Sequence, residues 1–251
     1  MRKFLLAVVA LLAVAAIAVY TLPADVAYAW FGKRLLPATL ADLGGDVWNG
    51  HAGSLRVLGR EIGKLEWHLR AWPLLRGELE AKAQVSGIGG SGSGWLSQAA
   101  DQTLDVRDAS ISLPAATVEP ALGVPALHLR GTIDITLAHA RLRGLWIEAL
   151  EGSAVWRDAA VYGAAQARLS DLRVDFTTRA DGTIGCSVRD LGGSLAAEGH
   201  CAFKAGAYDA EVRLAARAGD ARVLEALQYV GQPQADGSVS LRIRGHMLGV
   251  F

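Results

Sequence analysis

Leu172–Asp190 reads LRVDFTTRADGTIGCSVRD. Leu172, Val174 and Phe176 alternate with Arg173 and Asp175, and Cys186 and Val188 alternate with Ser187 and Arg189. A side-chain period of two puts the apolar set on one side of an extended chain and the polar set on the other. Asp181-Gly182, between the two runs, is a tight-hairpin signal, because both residues tolerate the positive φ that such a turn requires. The segment therefore describes two antiparallel strands with one dry face and one wet face.

The same pattern extends over most of the chain from residue 44. SLRVLG, KLEWHLR, ELEAKAQVSG, TLDVRDASISL, ALHLRGTIDITLA, LEGSAVWR, SLAAEGHCAFKAG, YDAEVRLAAR and SVSLRIRGHM all alternate apolar with polar or small residues. Gly192-Gly193 and Asp236-Gly237 add further hairpin signals, and the 29 glycines favour many turns over long helices. One later helix is expected, over 219–230, with Asp220 as its N-cap and Val223, Leu224, Leu227 and Val230 on one face. A weak repeat aligns Gly63-Lys64-Leu65-Glu66-Trp67 with Gly152-Ser153-Ala154-Val155-Trp156, which suggests two tandem β units, 44–126 and 127–251. Trp67 alternates with Leu65 and Leu69 and is expected to face the core.

At 251 residues the chain is long enough for one large β domain or two small ones. Lys+Arg 25 against Asp+Glu 25 leaves no net charge, and so no compositional case for a nucleic-acid partner. The N-terminus stands apart. Met1-Arg2-Lys3 is a basic tail (1–3), and residues 4–20 contain no charge, glycine or proline. A cleaved signal peptide and an uncleaved anchor both fit, with Ala27-Tyr28-Ala29 as the cleavage site for the first. The length of the run favours a transmembrane helix over 4–22, with the tail cytoplasmic and the remainder across the membrane. Residues 23–43 then read as a juxtamembrane linker. It carries a short amphipathic helix within 24–40, either lying on the membrane surface or capping the domain below.

Motifs for chemistry are scarce. Residues 87–92, GIGGSG, match a dinucleotide fingerprint by letter, but the segment that follows leaves no room for the helix that motif needs, so a flexible loop is expected. The six histidines are scattered, and His200-Cys201 has no second pair with which to hold a metal. No residue set nominates catalysis, a cofactor or a small-molecule substrate. Cys186 and Cys201 flank the turn at Leu191-Gly192-Gly193, which places residue 186 opposite the neighbourhood of 199. A small register shift would let the sulfurs bridge in an oxidising compartment; otherwise both are small core hydrophobes. The bridge is the favoured reading.

In order along the chain stand Leu22-Pro23-Ala24-Asp25-Val26 and Gly45-Asp46-Val47-Trp48-Asn49-Gly50. After them come Gly63-Lys64-Leu65-Glu66-Trp67-His68-Leu69, Leu74-Leu75-Arg76-Gly77-Glu78-Leu79, Leu129-Arg130-Gly131-Thr132-Ile133 and Leu150-Glu151-Gly152 with Trp156. With these the chain resembles the type II secretion system protein N family (general secretion pathway protein N). Asp46 stands where that family's pattern has Thr, while Trp48, Gly50, Trp67 and Trp156 keep its tryptophans and glycines. The resemblance implies a mainly β protein: an N-terminal transmembrane helix, then a curved, AsmA-like antiparallel sheet with one or two short helices. It also implies a non-enzymatic accessory of the bacterial inner membrane, working with other type II secretion subunits and inner-membrane lipids to export folded proteins. The alternative it leaves open is a periplasmic groove for lipids or other hydrophobes.

Overall fold

The computed structural model describes residues 21–31, 38–57, 59–74, 76–99, 101, 103–119, 126–144, 146–204 and 206–246. The expected anchor, 4–22, lies outside the described residues except for Thr21 and Leu22. Among the described residues no helix is long and apolar enough to cross a membrane. The chain divides into two compact units, Met1–Gly89 and Gly90–Phe251. The repeat boundary read from the sequence, at 126–127, falls within the second unit.

The first unit is an antiparallel meander of β1 (Ala38–Gly45), β2 (Asn49–Val57), β3 (Arg60–Arg70) and β4 (Leu79–Gly87). Helix α1 (Ala24–Phe31) precedes them, and the four-residue α2 (Ala71–Leu74) joins β3 to β4. The amphipathic helix expected within 24–40 is thus shorter. Its last residues, Ala38–Leu40, pair instead with Leu55–Val57 in β1, and the Leu40 N–H donates to the Tyr28 hydroxyl at 3.0 Å. Alanine and threonine here obey the ladder, because satisfying backbone groups against a neighbour outweighs a weak helical preference.

The second unit contains β5 (Gly90–Gln98), β6 (Thr103–Pro114), β7 (Leu127–Arg143), β8 (Trp146–Gly163), β9 (Ala167–Arg168) and β10 (Leu172–Thr178). It continues through β11 (Ile184–Asp190), β12 (Leu195–Lys204), β13 (Ala207–Ala216), helix α3 (Ala221–Leu227), β14 (Gln232–Pro233) and β15 (Val239–His246). Its strands follow the order β5-β6-β7-β8-β10-β11-β12-β13-β15-β14, with β9 paired to β8. Residues 87–92 are therefore strand ends on either side of a turn at Ile88–Gly89, not a flexible loop.

Turn chemistry follows the sequence closely. Asp181-Gly182, Gly192-Gly193 and Asp236-Gly237 all sit between strands, and each of these glycines has positive φ. The Asp181 carboxylate accepts from the Thr183 N–H (3.0 Å), the Thr183 hydroxyl (2.9 Å) and Lys204 Nζ (3.3 Å). Those bonds, Thr183's first, lower its pKa from 3.8 to about 2. A depressed carboxylate pKa means that the turn has its full support above the ordinary value and loses it as pH falls through about 2. The Thr183 amide resonance is therefore expected to titrate with a midpoint near 2, and a midpoint at the ordinary 3.8 would refute this account.

The main core lies in the second unit, under α3. Asp220 caps that helix, accepting from the N–H groups of Arg222 (3.0 Å) and Val223 (3.2 Å). Val223, Ala226 and Leu227 then pack on Leu127, Val161, Leu195, Ala197, Leu214 and Val239. Leu224, expected on the same face, points outward and is 40% exposed, with Ala226 buried in its stead. The helix is shorter than the 219–230 read from the pattern, so its buried stripe is narrower.

Candidate functional site: an open apolar face

Strand register aligns the alternation of each strand into rows across the second unit. One row runs Ile135, Ala154, Val174, Val188, Gly199, Val212 and Leu241; a second runs Leu137, Gly152, Phe176, Cys186, Cys201, Ala210 and Ile243. Every strand from β7 to β15 on the main path contributes, so these seven strands share an apolar face along both rows. Most of these side chains are only partly buried, in contrast to the sealed core beneath α3. Where α3 borders the face, a cavity of about 240 Å³ is lined by residues including Leu129, Trp156, Leu172, Val212, Leu227 and Leu241. At the other end a trough of about 650 Å³ is lined by Trp146, Ile147, Leu150, Phe176, Ile184 and Phe203, with Arg143 and Lys204 among its lining residues.

The opposite face carries a series of ion pairs. Arg157 meets Asp134 at 2.7 Å, Arg173 meets Asp175 at 2.7 Å, Arg242 meets Glu211 at 2.5 Å and Arg244 meets Asp209 at 2.7 Å. Hydrogen bonds from Arg173 and Arg242 hold the carboxyls of Asp175 and Glu211 below the usual carboxylate range. Such exposed pairs add little stability each. Their consequence is that this face is hydrated and neutralised, while the other is apolar and open. Apolar surface left accessible in this way makes the face the candidate site.

The residues singled out from the sequence divide between this face and the framework. Trp67 lies across Gly50, its register partner, and its indole N–H donates to the Val47 carbonyl at 3.0 Å. A Cβ on Gly50 would stand 2.2 Å from the Trp67 ring, so the glycine is required for the ring to lie flat on the neighbouring strand. Trp67 is partly buried rather than enclosed in a core. Trp156 repeats the arrangement in the second unit. Its indole N–H donates to the Arg130 carbonyl at 2.8 Å, and Gly131 approaches the ring so closely that a Cβ would lie 2.9 Å from Nε1. Unlike Trp67, Trp156 also lines the cavity. Trp48 sits in the β1–β2 turn, where Asp46 Oδ1 accepts from the N–H groups of Trp48 (2.9 Å) and Asn49 (2.6 Å). Asp46 thus performs a turn-capping task that a threonine hydroxyl can also perform.

Cys186 and Cys201 are direct register partners, with Cα atoms 4.9 Å apart and their sulfurs bonded. The small register shift that the bridge requires is present. Arg189 faces Glu198 and Val188 faces Gly199, so the strands pair two residues further along than the sequence reading had them. The bridge ties β11 to β12 in the middle of the apolar face.

A family model for type II secretion system (T2SS) protein N matches residues 37–242. This chain belongs to that family. The match runs from the start of β1 into β15, so it takes in strands of both units, and it agrees with the family named from the sequence motifs. Type II secretion system protein N of Vibrio cholerae serotype O1 (strain ATCC 39315 / El Tor Inaba N16961) is 31% identical over 150 residues, 55% of this chain and 56% of the relative. The chain thus spans about half the length of that relative. No solved structure matches. Membership of the protein N family associates the chain with the type II secretion system.

Proposed function

We propose that this protein is a non-enzymatic accessory of the type II secretion machine, held in the bacterial inner membrane by residues 4–22 with its β units in the periplasm. We further propose that it works by presenting the apolar face of the second unit to another subunit. The observation that carries this is the face itself: a continuous set of apolar side chains, only partly buried, backed by a neutralised polar face. An oxidising periplasm suits the Cys186–Cys201 bridge, which stiffens the centre of that surface.

A second reading is favoured by one specific observation. The trough bounded by Trp146, Ile147, Phe176 and Phe203 has a volume within the range of small-molecule sites, which suits an acyl chain or another hydrophobe. One experiment separates the two. A photo-crosslinking amino acid at Val174, midway along the face, is expected to capture a secretion subunit in living cells. Capture of phospholipid instead would favour the groove. Val174→Glu should also abolish most secretion while leaving the protein folded and at normal abundance. Full secretion by that variant would overturn the proposal.

The tandem-unit reading is supported by the paired hairpins: glycines with positive φ, Gly63 and Gly152, each stand four residues before a tryptophan whose indole N–H donates across to the preceding strand or turn. We infer that β2–β3 and β7–β8 descend from one duplicated hairpin.

A further inference from the structure

The α2 turn of the first unit displays apolar residues that stay exposed among the described residues. Trp72 is 70% exposed and Leu74 40%, and Leu79 at the start of β4 is 42% exposed. The turn is built to hold them there. Pro73, between the two, is buried, and its carbonyl accepts from the N–H groups of Arg76 (2.9 Å) and Glu78 (3.2 Å). Gly77, at positive φ, closes the turn by donating to the Leu74 carbonyl at 3.0 Å. A rigid turn that buries its proline and exposes a tryptophan is arranged for an external contact.

Its place in the unit identifies the contact. Arg70 pairs with Glu80 and His68 with Asn49, so α2 and the β1–β2 turn lie at the same end of the sheet. The chain enters at that end. Val47 N–H donates to the Leu22 carbonyl at 3.0 Å, and Pro23 bridges to Asp46. Leu22 is the last residue of the uncharged apolar segment that follows the basic tail. The displayed tryptophan therefore sits at the end of the unit where residues 4–22 leave off. Tryptophan with an aliphatic neighbour and an exposed arginine, Arg76, is the side-chain set that partitions into the headgroup region of a bilayer.

We propose that the α2 turn is a second membrane contact: Trp72 and Leu74 insert at headgroup depth of the phospholipid bilayer, with Arg76 directed to lipid phosphate. Together with the anchor it holds the first unit at two points, which fixes its orientation to the membrane where a single linker would leave it free to swivel. Glu78 and the Arg70–Glu80 pair (2.8 Å) leave the turn with little net charge, so binding rests on apolar insertion and resists salt.

The inference rests on the anchor reading, and one experiment tells their failures apart. Full-length protein carrying Trp72→Cys or Ile88→Cys, labelled with an environment-sensitive fluorophore, is reconstituted in phosphatidylethanolamine–phosphatidylglycerol vesicles. Ile88 is fully exposed in the turn at the opposite end of the first unit, and the two native cysteines are bonded to each other. A nitroxide high on the lipid acyl chain should quench the label at 72 about threefold or more beyond that at 88, as headgroup-depth insertion requires. Co-flotation with vesicles but equal or absent quenching at the two positions overturns this contact alone. Protein that does not float with the vesicles overturns the anchor and the contact together.

Discussion

Val223→Asp is expected to be the most damaging single substitution in the second unit, costing about 4 kcal/mol or more. Val223 is completely inaccessible, in the first turn of α3, and meets the core formed by Leu127, Leu195, Leu214 and Val239. A carboxylate there loses its water and finds apolar groups on every side. It must either ionise unpaired or take up a proton, and each route is costly. That figure approaches the whole stability of a typical domain, so α3 should detach or the unit unfold. Leu224→Asp is the control. One residue further along the same helix, Leu224 is 40% exposed, and its change is expected to stay within about 0.5 kcal/mol. Urea denaturation of the detergent-solubilised protein measures both, and similar midpoints for the two variants would refute the packing assigned to α3.

Gly131→Val should have an effect of comparable size for a different reason. Gly131 lies at φ +102, opposite the bulge in β8, where Thr132 faces Arg157 and Arg130 faces Ala160. Any Cβ there would stand 2.2 Å from the Arg157 carbonyl oxygen, 2.8 Å from that of Asp158 and 2.9 Å from Trp156 Nε1. Two of these three are backbone atoms, which cannot swing aside, and the third is the indole nitrogen bonded to Arg130. The bulge must therefore open, at a cost of about 3–4 kcal/mol when backbone strain and overpacking are taken together. Gly182→Val separates the two contributions. Gly182 also has positive φ, +76, but a Cβ there meets nothing within 4 Å, so only the conformational cost of about 1–2 kcal/mol remains. Loss of Trp156 fluorescence intensity at low urea in the Gly131 variant, and not in the Gly182 variant, would locate the damage. Equal stabilities would show that close approach at Gly131 matters little.

Strands with large alternating side chains were legible residue by residue: Leu172–Thr178 and Ala207–Ala216 announce both their conformation and their faces, and the Asp-Gly and Gly-Gly turns announce the hairpins. Strands β1 and β5 were not. ADLGG and GSGSG offer too little apolar contrast for a period to show, and they become strands because neighbouring backbones satisfy their N–H and C=O groups. The cysteine pair was legible as a pair, but its register was not, because a two-residue difference in turn length moves every partner along the strand.

By itself the sequence determined which side of each strand is apolar, where the chain turns, how α3 is capped and to which family the protein belongs. These depend on local backbone preferences and on period two, which act over a few residues. Only the tertiary structure decided that these apolar sides align into one face, that α3 seals one end of it, and that the remainder stays open beside a trough. Whether an apolar side becomes core or contact surface depends on which distant segment folds back over it, and period two alone does not encode that segment.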